Sequence, residues 1–451
     1  MVKRNDIVEV TIEEMVFPNK GIGFIDDKKL LVKGGITDQI LKVQITKKRK
    51  DKLEGKIIEI VKPSPIEILP KCEHFDNCGG CTGQNLPYEK QLEIKTTHVK
   101  TILNDRDIKD FKFLGIDPSP LEFQYRNKME YSFGDKIKGG PLELGMHQKD
   151  KFYEIISIPK CQIVGDDFNM ILKSVLDYFR NRDISHFHKI THKGFLRHLL
   201  IRKAYKTNQL LVNLVTTSQE ELNLDDFVEN LLALPLSGRI MGILHTINDG
   251  VADVVKSDET RVLYGRNFII EKILGLSFKI SAFSFFQTNS LGAEKLYSIV
   301  RDFAGNTKNK IVFDLYCGTG TISQVMAPIA QKVIGIEIVE EAVEAARENA
   351  ALNKLDNCEF IAGDVVEKID QLKDQPDLII LDPPRPGIHP KAIHKIIDFN
   401  PSQFIYVSCK PTSLANDLAV FIERGYKVTK VQCMDLFPQT PHTECICLIV
   451  K

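Results

Sequence analysis

Polar and apolar residues alternate in short runs over residues 6–61: IVEVTIEEMV, GIGFID, KLLVKG, QILKVQITKKRK and LEGKIIEIV. Glycines and Asn, Asp or Lys turns separate the runs, which predicts a small antiparallel barrel. The basic run Lys47-Lys48-Arg49-Lys50-Asp51-Lys52 falls at a hairpin between two of these strands. A solvated turn accounts for such a run, and so does an edge that tracks a nucleic-acid backbone. PSPIEILP, residues 63–70, has three prolines in eight residues and reads as a linker.

Residues 71–280 mix cysteine-rich loops, helices and strands without a repeat. Within them, residues 184–219 contain no Asp or Glu, but carry Lys189, Lys193, Arg197, Arg202, Lys203 and Lys206 with four interleaved histidines. Phe187, Phe195 and Tyr205 add aromatic faces. The stretch fits a solvated basic strand pair or a face that contacts phosphates. From about residue 281 the pattern becomes regular β-α alternation. KIVFDLYC, KVIGIEIV, CEFIAG, DLIILD and QFIYVSC are near-continuous apolar strands, each followed by a helical or loop segment. Such strands belong to a parallel sheet covered on both faces. YKVTKVQCMD and ECICLIV, with only a loop between them, add a closing antiparallel hairpin. The expected layout is α/β: a seven-stranded Rossmann-like domain over 281–451, an α+β central domain over 62–280 and an N-terminal barrel over 1–61.

Composition narrows the classes. Of 451 residues, 43% are apolar and 27% charged, ordinary for a globular protein with a sizeable core. Sixty basic residues cancel sixty acidic ones, so a nucleic-acid surface would be local. No apolar run approaches the roughly 18–20 residues of a membrane helix, and MVKRNDIVEV lacks a signal-peptide core. A cytoplasmic protein without a membrane partner is expected. Ten cysteines in such a chain point to thiol chemistry or metal rather than a disulfide framework.

The first strand ends in Asp314-Leu315-Tyr316-Cys317-Gly318-Thr319-Gly320, and a helix follows. Glycines let the backbone approach a ligand, and a helix N-terminus favours polar or anionic groups. The next strand ends in Glu337, seventeen residues beyond Gly320, placed to accept from both ribose hydroxyls. The third ends in Gly363-Asp364, where an adenine amino group could be met. There is no third glycine of the dinucleotide fingerprint and no lysine for a pyrophosphate. An adenosine cofactor without phosphates, S-adenosylmethionine, fits better. The fourth strand ends in Leu381-Asp382-Pro383-Pro384-Arg385, whose prolines fix Asp382 toward the pocket. Methylation of nitrogen usually goes with an aromatic residue at position 385; the arginine counts against it.

The fifth strand ends in Val407-Ser408-Cys409-Lys410-Pro411. Cys409 thus lies at the catalytic edge, beside a lysine and ahead of a helix start, both of which are expected to favour the thiolate. Cys317, Cys358, Cys433, Cys445 and Cys447 read as small core residues. Carbon 5 of uracil is too weak a nucleophile to take a methyl group unaided. A thiolate added to carbon 6 makes carbon 5 an enolate, and a base must then remove the carbon-5 proton. In Pro441-His442-Thr443-Glu444-Cys445 the hairpin returns to the same sheet, and Glu444 is the candidate base.

Cys72-x5-Cys78-x2-Cys81, with Gly79 and Gly80 and a distant Cys161, is a strong metal signal. Zinc accepts four thiolates and so does an iron–sulfur cluster; the spacing does not choose between them. It is not C-x3-C-x2-C, which disfavours radical cleavage of S-adenosylmethionine.

Together, CEHFDNCGGC, YRNKMEYSF, GFLRHLLIR, FFQTN, DLYCGTG, LDPPRPG, VSCKPTSLANDL and PHTEC resemble the RNA uracil-5-methyltransferase family along essentially the whole chain. The resemblance implies a TRAM domain of oligonucleotide-binding-fold type over 1–61 and a central domain with a [4Fe-4S] cluster on Cys72, Cys78, Cys81 and Cys161. It implies Cys409 as nucleophile and Glu444 as proton acceptor. Gln287 would be a cofactor-site residue with Tyr316, Glu337, Asp364 and Asp382. The family's glycine loop often ends in asparagine where this chain has Thr321. TRAM domain plus cluster looks most like the bacterial enzymes that methylate 23S ribosomal RNA; transfer-RNA enzymes share the catalytic motifs. No obligate protein partner is implied. A catalytically inactive iron–sulfur RNA-binding protein is the competing class, against which intact Cys409, Glu444 and the glycine loop speak. A cytosine-5 enzyme would have a Pro-Cys pair after the fourth strand, which is absent.

Overall fold

The computed structural model describes residues 2–50, 52–251 and 258–451. Asp51 of the basic run lies outside the described residues.

The N-terminal runs form one six-stranded sheet, and the first run divides in two. Ile7–Thr11 pairs with Ile40–Lys48, whereas Glu14–Val16 pairs with Lys20–Ile25. At the division, Ile12 N–H donates to Gln39 O (2.9 Å) and Glu13 N–H to Ile22 O (2.8 Å), so the strand changes partner and bridges both ends of the sheet. Gly23 permits this: a Cβ there would lie 2.5 Å from Thr11 O. Alternation puts Val10, Ile12, Leu30, Val32, Leu41, Val43, Ile45 and Leu53 inside. Of the basic run, Lys47 and Lys48 end strand Ile40–Lys48, Lys52 opens strand Lys52–Lys62, and Arg49 N–H donates to Lys52 O at 2.8 Å between them.

The central sheet has seven strands, with Leu196–Lys203 at its middle between Lys128–Asp135 and Gln209–Thr216. Helices Asp166–Arg180 and Asp225–Leu232 bury Phe168, Leu172, Phe179 and Phe227 against it. This position buries the strand half of the acid-free stretch, which was expected to be a solvated strand pair or a phosphate-contacting face. Arg197 and Arg202 are 4% and 2% exposed, and His198 5%. Arg202 donates to the carbonyls of Ala282 and Ser284. Lys203 pairs with Asp167 at 2.6 Å and Lys206 with Glu294 at 3.2 Å. Arg197, Arg202, Lys203 and Lys206 thus make ties within the chain, whereas Lys193 stays exposed.

The C-terminal sheet has eight strands rather than seven. Its order is Cys358–Ala362, Lys332–Glu337, Ile311–Leu315, Leu378–Leu381, Gln403–Ser408, Glu444–Val450, Lys427–Met434 and Lys112–Asp117. The five β-α strands are parallel, and Glu444–Val450 is antiparallel to its neighbours. The eighth strand comes from the stretch assigned by pattern to the central domain and pairs parallel with Lys427–Met434. The preceding helix, Tyr88–Asn104, packs on helix Pro411–Glu423 of the same domain. A parallel partner some three hundred residues away leaves no local pattern, which is why a seven-stranded sheet was expected. Asn289 caps helix Ser290–Ala304 by accepting from Gly292 N–H at 2.9 Å. Among the described residues no helix is long and apolar enough to cross a membrane.

Candidate active site

Parallel strands present their carboxyl ends at one edge, and an antiparallel strand begins at that same edge. The loops there surround a cleft of about 1310 Å³. Gln287, Tyr316, Glu337, Asp364, Asp382, Cys409 and Glu444 all line it, although they span 158 positions of sequence.

The glycine turn forms the floor. Gly318 (φ 54°) and Gly320 (φ 71°) are left-handed, and a Cβ on Gly320 would stand 2.7 Å from the Phe360 ring. Glu337 accepts from Gly318 N–H at 3.1 Å and Val339 N–H at 3.0 Å, so it holds the turn while lining the cleft. Asp364 caps the next helical turn by accepting from Val366 N–H at 2.7 Å. Tyr316 is half-buried, and burial, Asp364 and Asp417 push its phenol upward. Asn127, in YRNKMEYSF, donates to Gln287 O at 3.0 Å and thereby ties the FFQTN loop to the central domain.

Acid groups crowd the back of the cleft. Asp314 is fully buried; Ser323 Oγ donates to one oxygen at 2.5 Å, and the other has no protein partner. Burial, opposed by Ser323, pushes its carboxyl up to about 7. Burial and then Asp314 push Asp382 up to about 7. Burial and then Asp382 push Glu444 up to about 8, while Arg385 opposes. An orphaned carboxylate oxygen and three raised acids beside an open cleft are poised to receive a positively charged ligand. These residues fit S-adenosylmethionine.

Cys409 corrects an expectation. Burial, followed by Glu444 and Asp382, raises its thiol to about 11 instead of favouring the thiolate. The helix start is present, with Pro411 in the first turn, but it does not outweigh those acids. Arg385 is the cation that opposes them, by charge and by hydrogen bonding to the sulfur. Ser413 Oγ donates to Arg385 O at 2.8 Å and holds its backbone. Sequence reasoning used Arg385 only to exclude nitrogen chemistry. Its signal was present: a cation at a proline-stiffened turn, three residues past Asp382. His442 lines the same cleft, its imidazole pushed down by burial first and then by Arg385.

Cys72, Cys81 and Cys161 are buried and Cys78 half-buried in one apolar cluster, all as free thiols. Burial raises Cys81 to about 12 and Cys161 to about 11, and the neighbouring cysteines push both the same way. The fold therefore gathers the four. Among the described residues, however, no three His, Cys, Asp or Glu side chains converge closely enough to hold one metal ion.

A seven-stranded α/β core, extended here by one strand, with a glycine turn, a carboxylate at the tip of the second strand and a thiol at one edge, defines a methyltransferase that uses S-adenosylmethionine. The comparisons with known proteins carry this further. Residues 87–451 match the family described as tRNA (uracil-5-)-methyltransferase, and the chain belongs to that family. It is 53% identical to a Clostridium tetani protein described as an RNA methyltransferase, over 97% of this chain and 96% of that one. It is 50% identical to another so described in Clostridium acetobutylicum, over 100% and 99%. The Pyrococcus abyssi tRNA (uracil-54, C5)-methyltransferase, solved with S-adenosyl-L-homocysteine, superposes with a TM-score of 0.78 at 25% identity, covering 98% of this chain and 100% of that one.

Proposed function

We propose that this protein methylates carbon 5 of a uridine in RNA, with 23S ribosomal RNA as the substrate. The observation that carries the reaction is the meeting of Cys409, Arg385 and Glu444 in the cleft that holds the glycine turn. The RNA class rests on the barrel-plus-cysteine organisation. Transfer RNA is the second reading, favoured by the Pyrococcus abyssi enzyme matching the whole length of this chain.

S-adenosylmethionine, when bound between Glu337, Asp364, Tyr316 and Gln287, supplies a sulfonium methyl group and a positive charge. Arg385 lowers the Cys409 thiol toward ionisation. The Cys409 thiolate forms a bond to carbon 6 of uracil, and its electron pair displaces the double bond to give a carbon-5 enolate. Carbon 5 would take the methyl group as its bond to the sulfonium sulfur breaks, the electron pair staying on that sulfur and leaving a neutral thioether to depart. Glu444, ionised, accepts the carbon-5 proton; the electrons of that C–H bond restore the double bond, and the C–S bond to Cys409 breaks. Burial and then Asp382 raise the Glu444 pKa, which strengthens the carboxylate as a base once it is ionised, while Arg385 favours the ionised form.

Cys72, Cys78, Cys81 and Cys161 would hold a [4Fe-4S] cluster. Each thiolate would bind a different iron, so they need not converge as ligands of a single ion do. Neither thiolate addition nor methyl transfer needs an electron, so its contribution is to shape. The decisive experiment incubates the protein with methyl-labelled S-adenosylmethionine and unmodified 23S ribosomal or transfer RNA. Label recovered as 5-methyluridine in ribosomal RNA supports the first reading, in transfer RNA the second, and in neither overturns both.

A further inference from the structure

Asp435–Thr443, which leads into Glu444, contains neither helix nor strand. Irregular segments normally run over the surface, where water satisfies their backbone. This one is buried: Asp435 and Leu436 are 0% exposed, Gln439 and Thr443 2%. Its carbonyls must then find partners inside the protein, and four consecutive ones find them on separate parts of the chain. Leu436 O accepts from Asn289 Nδ2 at 3.0 Å. Phe437 O accepts from Lys95 Nζ at 3.2 Å, and Pro438 O from Tyr125 Oη at 3.0 Å. Gln439 O accepts from the backbone N–H of Thr82 at 2.9 Å and of Gly83 at 3.1 Å.

Gln439 is the most heavily tied. Its φ is 67°, and its backbone N–H donates to Gln91 Oε1 at 3.0 Å. Gln91 Nε2 returns a bond to Gln439 Oε1 at 2.9 Å, closing a two-way clamp across 348 positions. Thr82 and Gly83 directly follow Cys81, whose sulfur bonds to Gln84; Gln84 Oε1 accepts in turn from Cys72 N–H at 3.0 Å. The cysteine-bearing loop therefore ends on the strap that delivers Glu444.

We propose that Thr82–Gly83 and Gln91 are positioning elements for the base: by clamping Gln439 they set Glu444 against the carbon-5 proton of the adduct. The proposal rests on Glu444 being that base. It gives the cysteine loop a mechanical part in the elimination half of the reaction. Slack in the strap should therefore slow elimination while sparing thiolate addition, because Cys409 leaves a different strand, Gln403–Ser408.

The test uses the full-length protein in single turnover, with in-vitro-transcribed 23S ribosomal and transfer RNA as probes. The readout is the covalent protein–RNA adduct that survives denaturing electrophoresis. Gln439→Gly keeps the positive φ and deletes the clamped amide; Gln91→Met keeps volume and deletes the other half. Both should form adduct within about twofold of the wild-type rate and resolve it about tenfold more slowly or worse, with S-adenosylmethionine affinity unchanged. Gln439→Asn, which tolerates the same backbone and keeps an amide, should recover part of the loss. Combined with Glu444→Gln, neither variant should slow resolution further, because both act through one group. Thermal unfolding of each variant separates a destabilised fold from a displaced base. Wild-type resolution in both strap variants, while Glu444→Gln accumulates adduct, overturns the proposal and leaves the base in place. Normal release by Glu444→Gln removes both.

Discussion

Cys409 and Glu444 are neighbours across the end of one antiparallel ladder. Ser408 and Cys445 form its last rung, and each reactive side chain belongs to the residue just outside it. The ladder brings the two backbones to one edge, and the strap before Glu444 sets that side chain from its other end. The same closeness lets Glu444 push the Cys409 thiol upward.

Cys409→Ala is expected to abolish methyl transfer and adduct formation, with S-adenosylmethionine affinity within about twofold of wild type, because no cofactor contact is lost. Turnover above a few per cent of wild type would remove Cys409 from the nucleophile's role.

In Glu444→Gln the methyl group transfers but carbon 5 keeps its proton. A methylated protein–RNA adduct should build up to about one per active site. Gel mobility after denaturation, with label in both partners, checks this.

Arg385 pulls down both Cys409 and Glu444. Its removal raises both pKa values, so the acid limb of the pH–rate profile should move to higher pH. For Arg385→Gln we expect a shift of about one pH unit and a fall of about tenfold or more near neutrality. Arg385→Lys should restore part of it. An unmoved profile would show that the guanidinium does not act on the thiol.

Asp314, Asp382 and Glu444 have folded pKa values of about 7, 7 and 8, above the ordinary 3.8 and 4.5. Raised carboxyls bind protons in the fold that the unfolded chain has released. Their stabilisation is present below about pH 4 and is lost as pH rises through about 8. Asp382→Asn should therefore gain thermal stability over wild type at about pH 8 and little at about pH 4. A gain equal at both values would contradict the raised pKa.

Anaerobically purified protein is expected to be brown and to carry about four irons per chain; zinc without iron would refute the cluster. Cys78→Ser should lower thermal stability or RNA affinity before it touches S-adenosylmethionine binding. A turnover that followed cluster oxidation state, at unchanged stability and RNA affinity, would show that the cluster does more than hold shape.

The local code was enough for much of this protein. Period-two alternation marked the barrel strands, and apolar runs marked the parallel strands, because burial on one or both faces dictates those patterns residue by residue. Strand tips followed by Gly, Pro or acidic residues placed Glu337, Asp364, Asp382 and Cys409 on one edge, since parallel strands share a direction. What depended on distant partners was illegible. Lys112–Asp117 joins the catalytic sheet only because Lys427–Met434 offers a free edge. Arg197 and Arg202 read as part of a solvated strand pair or a phosphate-contacting face, yet the sheet grew on both sides of them and made them internal ties. The thiol of Cys409 is another case: adjacent Lys410 and the helix start suggested a low pKa, but burial, Glu444 and Asp382 raise it through chain segments that only folding brings together. Electrostatics depends on distance through space, and sequence records distance only along the chain.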